Sequence, residues 1–131
     1  MDRDLMVGNI VRVTKAAKAF GVPIVVSTVN VTTGRNKPMF SQLHDVLPGI
    51  EPIDRTTINA WEDADFLGAV RATGRRKLIM AALWTEACVA FPTLDALQEG
   101  FEVYPVVDAV GGTSAEAHKS GLERITKRCG S

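Results

Sequence analysis

Apolar residues change period several times along the chain, and each change marks an element. Leu5, Ile10, Val13, Ala17 and Phe20 recur at helical spacing with Arg12, Lys15 and Lys18 between them. That pattern predicts an amphipathic helix over residues 5–20, stopped by Gly21. Residues 22–28 form a buried β-type run in which Pro23 is tolerable only at the start. A polar loop (32–38), a short helix (40–47), a short strand end (52–55) and a loop (56–61) follow. Phe66, Leu67 and Val70 predict a helix over residues 62–73, with Gly74 as its stop. Residues 78–84 are apolar on both parities, which predicts a strand buried on both faces. At Thr85 the period turns helical, through Ala87, Val89, Ala90, Leu94 and Leu97 to Gly100. Thr85 suits the N-cap, and Glu86 sits where a helix favours negative charge. Residues 102–107 predict the next strand, with Pro105 arguing for an edge or irregular position. A turn at 111–113 and a helix over 115–127 complete the pattern.

Strands alternating with helices at this spacing imply βαβ units, a parallel sheet and right-handed crossovers. Sites in such sheets form at the carboxyl ends of the strands. The loop after Thr28 and the segments 55–61, 84–88 and 108–114 are therefore expected to share one rim. At 131 residues the chain reads as a single domain, residues 1–131, large enough for a hydrophobic core.

Composition removes several function classes. Lys plus Arg number 15 and Asp plus Glu number 15, so no net field draws in nucleic acid or an anionic membrane. The longest apolar run is too short to cross a bilayer, and residues 1–4 do not open a signal peptide. A soluble, cytoplasmic protein is expected. The 2 cysteines, Cys88 and Cys129, make no disulfide framework, and Cys129 reads as incidental. His44 and His118 lack ligand spacing, so neither a metal nor a cofactor is expected. The glycines at 111–112 are a weak phosphate signal, and no phosphate-loop motif follows any strand.

The candidate chemistry is at Cys88, about the third position of the helix that opens at Thr85. The first N–H groups of a helix lack intrahelical acceptors and carry partial positive charge. A thiol beside them is favoured as thiolate, the nucleophilic form. The same N–H groups suit the oxyanion formed when a thiolate attacks a carbonyl-type carbon. On spacing alone, Cys88 reads rather as a small core residue on the buried face of the helix, because free cysteine is among the most buried residue types.

The segments Ala81-Ala-Leu-Trp-Thr-Glu-Ala-Cys-Val-Ala-Phe-Pro92 and Ile58-Asn-Ala-Trp61, with Val107-Asp-Ala109 and Gly112-Thr113, resemble the isochorismatase-like cysteine hydrolases. The similarity extends over nearly the whole chain and is closest to the YcaC-like branch. It implies a three-layer αβα sandwich with a parallel, Rossmann-like sheet, and hydrolysis of an amide or related C–N bond of a small molecule. It implies Cys88 as nucleophile and Arg55 in place of the family lysine. Arginine keeps its charge, so it can stabilise a thiolate or another anion but not shuttle a proton. The resemblance also implies a cis peptide at Leu83–Trp84 that aims the Trp84 N–H, with that of Cys88, at the oxyanion. A homo-oligomer is implied as well.

The chain departs from the family in one respect. The family's general base, an Asp, ends a first strand that precedes the helix at 5–20, and neither Asp2 nor Asp4 takes its place. That strand lies centrally in the order 3-2-1-4-5-6, and a last strand is missing too. The domain is thus expected to be incomplete: either the sequence is a truncated copy of a longer protein, or the run at 22–28 pairs directly with that at 78–83, or a strand from another chain fills the slot. Without the Asp, weak activity is expected. Two other readings stand beside the hydrolase: a catalytically impaired homo-oligomeric assembly protein, and a redox-responsive thiol protein.

Further residues carry paired readings. Asn59 suits a polar substrate or its own turn. Trp61 and Trp84 suit a pocket wall or plain core. Thr85 is a candidate substrate contact, and Asp108 either orients a site group or caps a turn.

Overall fold

The structure, a computed structural model, describes residues 3–36, 39, 41–82, 85–112 and 114–129, with only backbone for Arg3, Glu86, Arg128 and Cys129. Its first helix, α1 (Arg3–Ala19), buries Met6 and Val7, while the predicted contacts Leu5 and Phe20 are exposed. Gly21, at φ 67°, ends the helix in the left-handed conformation that a side chain would disfavour. The Val22 N–H then reaches the Ala17 carbonyl at 2.9 Å, satisfying one of the helix's last acceptors.

Strand β1 (Ser27–Val29) pairs in parallel with β2 (Ile53–Arg55), matching Ser27 with Ile53 and Val29 with Arg55. The β-type run expected over 22–28 is therefore strand only at its end. Pro23 has no N–H to contribute, and the ladder begins with the Ile53 N–H to the Val26 carbonyl at 2.8 Å. The short helix α2 (Ser41–Asp45) lies between the two strands in sequence and is tied to α1 by Lys18 Nζ on the Val46 carbonyl at 2.8 Å.

A 3₁₀ turn (Ala60–Glu62) then leads to α3 (Ala64–Ala72). The helix starts two residues later than the apolar pattern suggests because Asp63 caps it, accepting the Phe66 N–H at 2.9 Å. Strand β3 (Lys77–Met80) pairs in parallel with β4 (Glu102–Pro105), and α4 (Ala90–Gln98) connects them. The last helix is α5 (Ala115–Cys129).

The strands described form two parallel pairs, β1–β2 and β3–β4, rather than one sheet. Residues 22–28 and 78–83 do not pair directly among the described residues, so the direct pairing weighed from the sequence is not found. The two pairs still share a core. Val25, Leu78 and Met80 pack on the cluster of Trp61, Val70, Ala96, Phe101 and Val103. The Trp61 ring meets Phe66 and Phe101 edge-on, with centroids 6.4 and 5.4 Å away. No described helix is long and apolar enough to cross a membrane.

Burial of β3 on both faces does not hold. Leu78 and Met80 face the core, but Ile79 is 60% exposed beside its register partner Tyr104 at 53%. The strand also ends at Met80, short of the apolar run. A parallel pair needs a layer on each face to bury both parities, and only one face of β3–β4 is covered.

The loop after β1 is held by one carboxylate. Asp54 accepts from the Thr32 hydroxyl at 2.7 Å, the Val31 and Thr32 N–H groups at 3.0 Å each, and the Thr28 hydroxyl at 2.8 Å. The Thr32 hydroxyl, followed by the two N–H donors, holds the Asp54 carboxyl well below the ordinary carboxylate range. A group depressed in the folded state stabilises it above the unfolded value and loses that contribution as pH falls through the folded value. D54N should therefore speed hydrogen exchange at the Val31 and Thr32 amides at neutral pH. The difference from the parent should shrink from about pH 4 downward.

Candidate active site

Two groups of predicted residues are brought together, one on each strand pair. On the first pair, Arg55 ends β2 and is only 7% exposed. Its Nη1 donates to Ser27 Oγ at 2.7 Å and to the Thr28 carbonyl at 3.3 Å, and its Nη2 to the Ile58 carbonyl at 3.2 Å. Its Nε is buried without a partner. All three acceptors are neutral oxygens, and no carboxylate pairs with this guanidinium among the described residues. A buried charge without a counter-charge is costly.

Asn59 follows on the same loop. Its side-chain oxygen accepts the Trp61 N–H at 3.0 Å and caps the 3₁₀ turn, and its amide donates to Asp95 Oδ2 on α4 at 2.8 Å. These bonds serve the turn and tie it to α4. Trp61 sits in the aromatic core described above, with its indole N–H buried and unpartnered.

The second group lies beyond β3. Residues 85–89 form a π-helical turn (Thr85–Val89) that runs directly into α4, and Cys88 is part of it, half-buried with a free thiol. The regular α-helical start expected at Thr85 is replaced by this wider turn, an arrangement that recurs at functional sites. Thr85 does not act as a simple N-cap. It is fully buried, its N–H donates to the Gly111 carbonyl at 2.9 Å, and its Oγ lies 2.7 Å from His118 Nδ1 on α5. The Gly111 N–H in turn reaches the Ala82 carbonyl at 3.3 Å. Beneath the turn, Val89, Ala90, Val110 and Ile125 make a second apolar cluster, with Ala82 and Leu122 against it.

The predicted oxyanion donor and pocket wall Trp84, and the Leu83–Trp84 peptide, lie outside the described residues, as does the Glu86 side chain. Asp108 is exposed, and its carbonyl accepts from Asn9 of α1 at 3.0 Å. No hydrogen bond joins Arg55 to Cys88 among the described residues. Among the described residues the Asn59–Asp95 bond ties the loop after Arg55 to α4, beside the shared core around Trp61. His118 was passed over in the sequence because it was weighed only as a metal ligand. Its partner lies 33 positions away, and no local pattern marks such a contact. Among the described residues no three His, Cys, Asp or Glu side chains converge as a metal site would require.

The whole chain, residues 1–131, matches the isochorismatase domain. The chain belongs to the isochorismatase family. It is 38% identical over 128 residues to the probable hydrolase YcaC of Escherichia coli K12, covering 97% of this chain and 61% of that protein. Two solved structures are also similar over 98% of this chain and 63% of theirs. One is YcaC from Pseudomonas aeruginosa with hexane-2,5-diol and covalent acrylamide, at TM-score 0.91 and 36% identity. The other is Escherichia coli YcaC, an octameric hydrolase of unknown specificity, at TM-score 0.90 and 37% identity. These likenesses place the chain in the YcaC-like branch with an isochorismatase-like α/β fold. The chain spans about three fifths of the length of these relatives.

The bonds of Arg55 give a test of how the site is held. Lysine would keep the charge but has no planar fork to reach Ser27, Thr28 and Ile58 together. R55K should lower stability by about 1–3 kcal/mol in a urea titration.

Proposed function

We propose that the chain carries a cysteine hydrolase site acting on an amide or related C–N bond of a small molecule, with Cys88 as nucleophile. The observation that carries this reading is the setting of Cys88. It sits on a π-helical turn following a parallel strand, and the first residue of that turn is held from outside, its N–H by the Gly111 carbonyl and its hydroxyl by His118. A thiolate there would attack the carbonyl-type carbon, and the Cys88 and Trp84 N–H groups would hold the oxyanion. Arg55 would supply positive charge for an anion at the rim, whether thiolate or substrate. Trp84 would line the substrate side, whereas the polar groups of Asn59 and Thr85 and the ring of Trp61 are committed to the 3₁₀ turn and Asp95, to His118 and to the core.

Two proton transfers limit this chemistry. The thiol must lose a proton before attack, and a water must be activated to release the acyl group from sulfur. No carboxylate stands beside Arg55 among the described residues to take either proton. Capture of an electrophile by Cys88 is therefore expected to be easier than turnover. Acrylamide is a suitable probe, since it alkylates thiolates and is covalently bound in the Pseudomonas aeruginosa relative. Mass spectrometry should place one adduct at Cys88, C88A should lose it, and amide hydrolysis should fall to background in the same variant. An adduct count unchanged in C88A would remove Cys88 from the mechanism.

The assembly reading rests on a separate observation. Ile79 and Tyr104 form an open apolar pair on one face of β3–β4, and the Escherichia coli relative is octameric. A homo-oligomer is proposed on that basis. Sedimentation should give a species larger than the 14.1 kDa chain, and Ile79→Lys should shift it toward the monomer. A clean monomer in the parent would overturn the proposal.

A further inference from the structure

We propose that His118 is a positioning residue for Cys88, acting through the hydroxyl of Thr85. The inference rests on the reading of Cys88 as a nucleophile and extends it to a residue on a different helix.

The starting point is the weakness of the turn itself. A π-helical turn closes its hydrogen bonds over five residues and is rarely stable alone. No side chain caps the helix that follows it, where Val89 stands at the N-cap. The turn from Thr85 to Val89 must therefore be held from outside. Gly111 does this for the backbone, accepting from Thr85 N–H and donating to the Ala82 carbonyl. That leaves the Thr85 hydroxyl, a polar group with 0% exposure. A buried hydroxyl without a partner is costly, and His118 Nδ1 at 2.7 Å is the partner it has.

The contact depends on a close approach of backbones. A Cβ built at Gly112 would lie 2.7 Å from the Cβ of His118 and 2.8 Å from its Cα and N. Only a glycine lets the first turn of α5 come down far enough for the ring to reach Thr85. His118 is itself fixed there by its N–H on the Ser114 carbonyl at 3.0 Å. One turn of backbone joins Thr85 to Cys88, so a shift at the hydroxyl is passed to the sulfur. Rates of attack are sensitive to displacements of about 1 Å, which can cost on the order of a hundredfold.

The role predicted is that of a specific hydrogen bond, which separates it from filling space. Asparagine can place an amide where Nδ1 lies, whereas leucine fills similar volume without a polar atom. Valine at 85 keeps the shape of threonine and removes the hydroxyl. The rate of acrylamide addition to Cys88 is read by peptide mass spectrometry on the purified chain, with a thermal melt for each variant. H118L and T85V should each slow addition by about tenfold or more. H118N should stay within about threefold of the parent. The double variant T85V/H118L should be no slower than either single one, because both remove the same bond.

A folded H118L protein reacting at the parent rate would overturn the proposal. So would an H118N protein as slow as H118L, or a double variant whose slowing is the product of the two. If H118L lacks a cooperative melt, T85V and H118N carry the comparison, and a T85V protein reacting at the parent rate overturns it. Addition that persists in C88A sinks the nucleophile reading instead, so the two failures are distinguishable.

Discussion

The site depends on a single residue's backbone. Gly111 accepts from Thr85 and donates to Ala82, so one residue spans the exit of β3 and the entry of the Cys88 turn. Everything chemical on that side of the molecule follows from this. The strand stops at Met80, the chain turns, and Cys88 lies on that turn, half-buried. A regular helix would supply such a start from its own capping side chain. Here the support comes from a segment nearly thirty residues downstream, backed by the apolar contacts of Val89, Ala90, Val110 and Ile125. Local helix-forming propensity is weak at this corner, and tertiary contacts replace it.

Much of the architecture was legible in the sequence because it rests on period and punctuation. The helices at 3–19, 64–72, 90–98 and 115–129 and the short strands at 53–55 and 102–105 lie close to where apolar spacing put them. Gly21 does stop the first helix, at a positive φ. The errors share a cause. Leu5 and Phe20 were assigned to a buried stripe, and the run from Leu78 to a strand buried on both faces, because apolar character was read as burial. Whether an apolar residue is covered depends on which layers lie over it, and period alone does not specify that. Thr85 illustrates the other limit. As a residue type it suits an N-cap, but its hydroxyl is engaged by a histidine on another helix, and the turn becomes π-helical. Side chains that bond across the fold leave no trace in local sequence.

The two strand pairs have different tasks, and the division bears on the chemistry. The β1–β2 pair holds charge: Asp54 fastens the loop from Val31 to Thr32, and Arg55 is locked among the oxygens of Ser27, Thr28 and Ile58. The β3–β4 pair holds the thiol through α4 and α5. Two-stranded parallel pairs are weak on their own, so their relative position must come from elsewhere. It comes from the core around Trp61, which Val25 enters from one side and Leu78 and Met80 from the other. The Asn59–Asp95 bond then sets the loop after Arg55 against the helix that begins at the cysteine turn.

That bond explains why Asn59 is better understood as a strut than by its chemistry alone. Its side-chain oxygen is committed to the 3₁₀ turn that delivers Trp61 to the core, and its amide to the carboxylate of Asp95. One side chain thereby connects the aromatic core, the loop carrying the buried guanidinium and the helix carrying the sulfur. Asp54, the immediate neighbour of Arg55 in sequence, is kept occupied by Thr28, Val31 and Thr32. Adjacent strand residues point to opposite faces, so Asp54 and Arg55 are parted by the pleat itself. The strand's alternation sends the Asp54 carboxylate to the loop and the Arg55 guanidinium to the interior, among the oxygens of Ser27, Thr28 and Ile58.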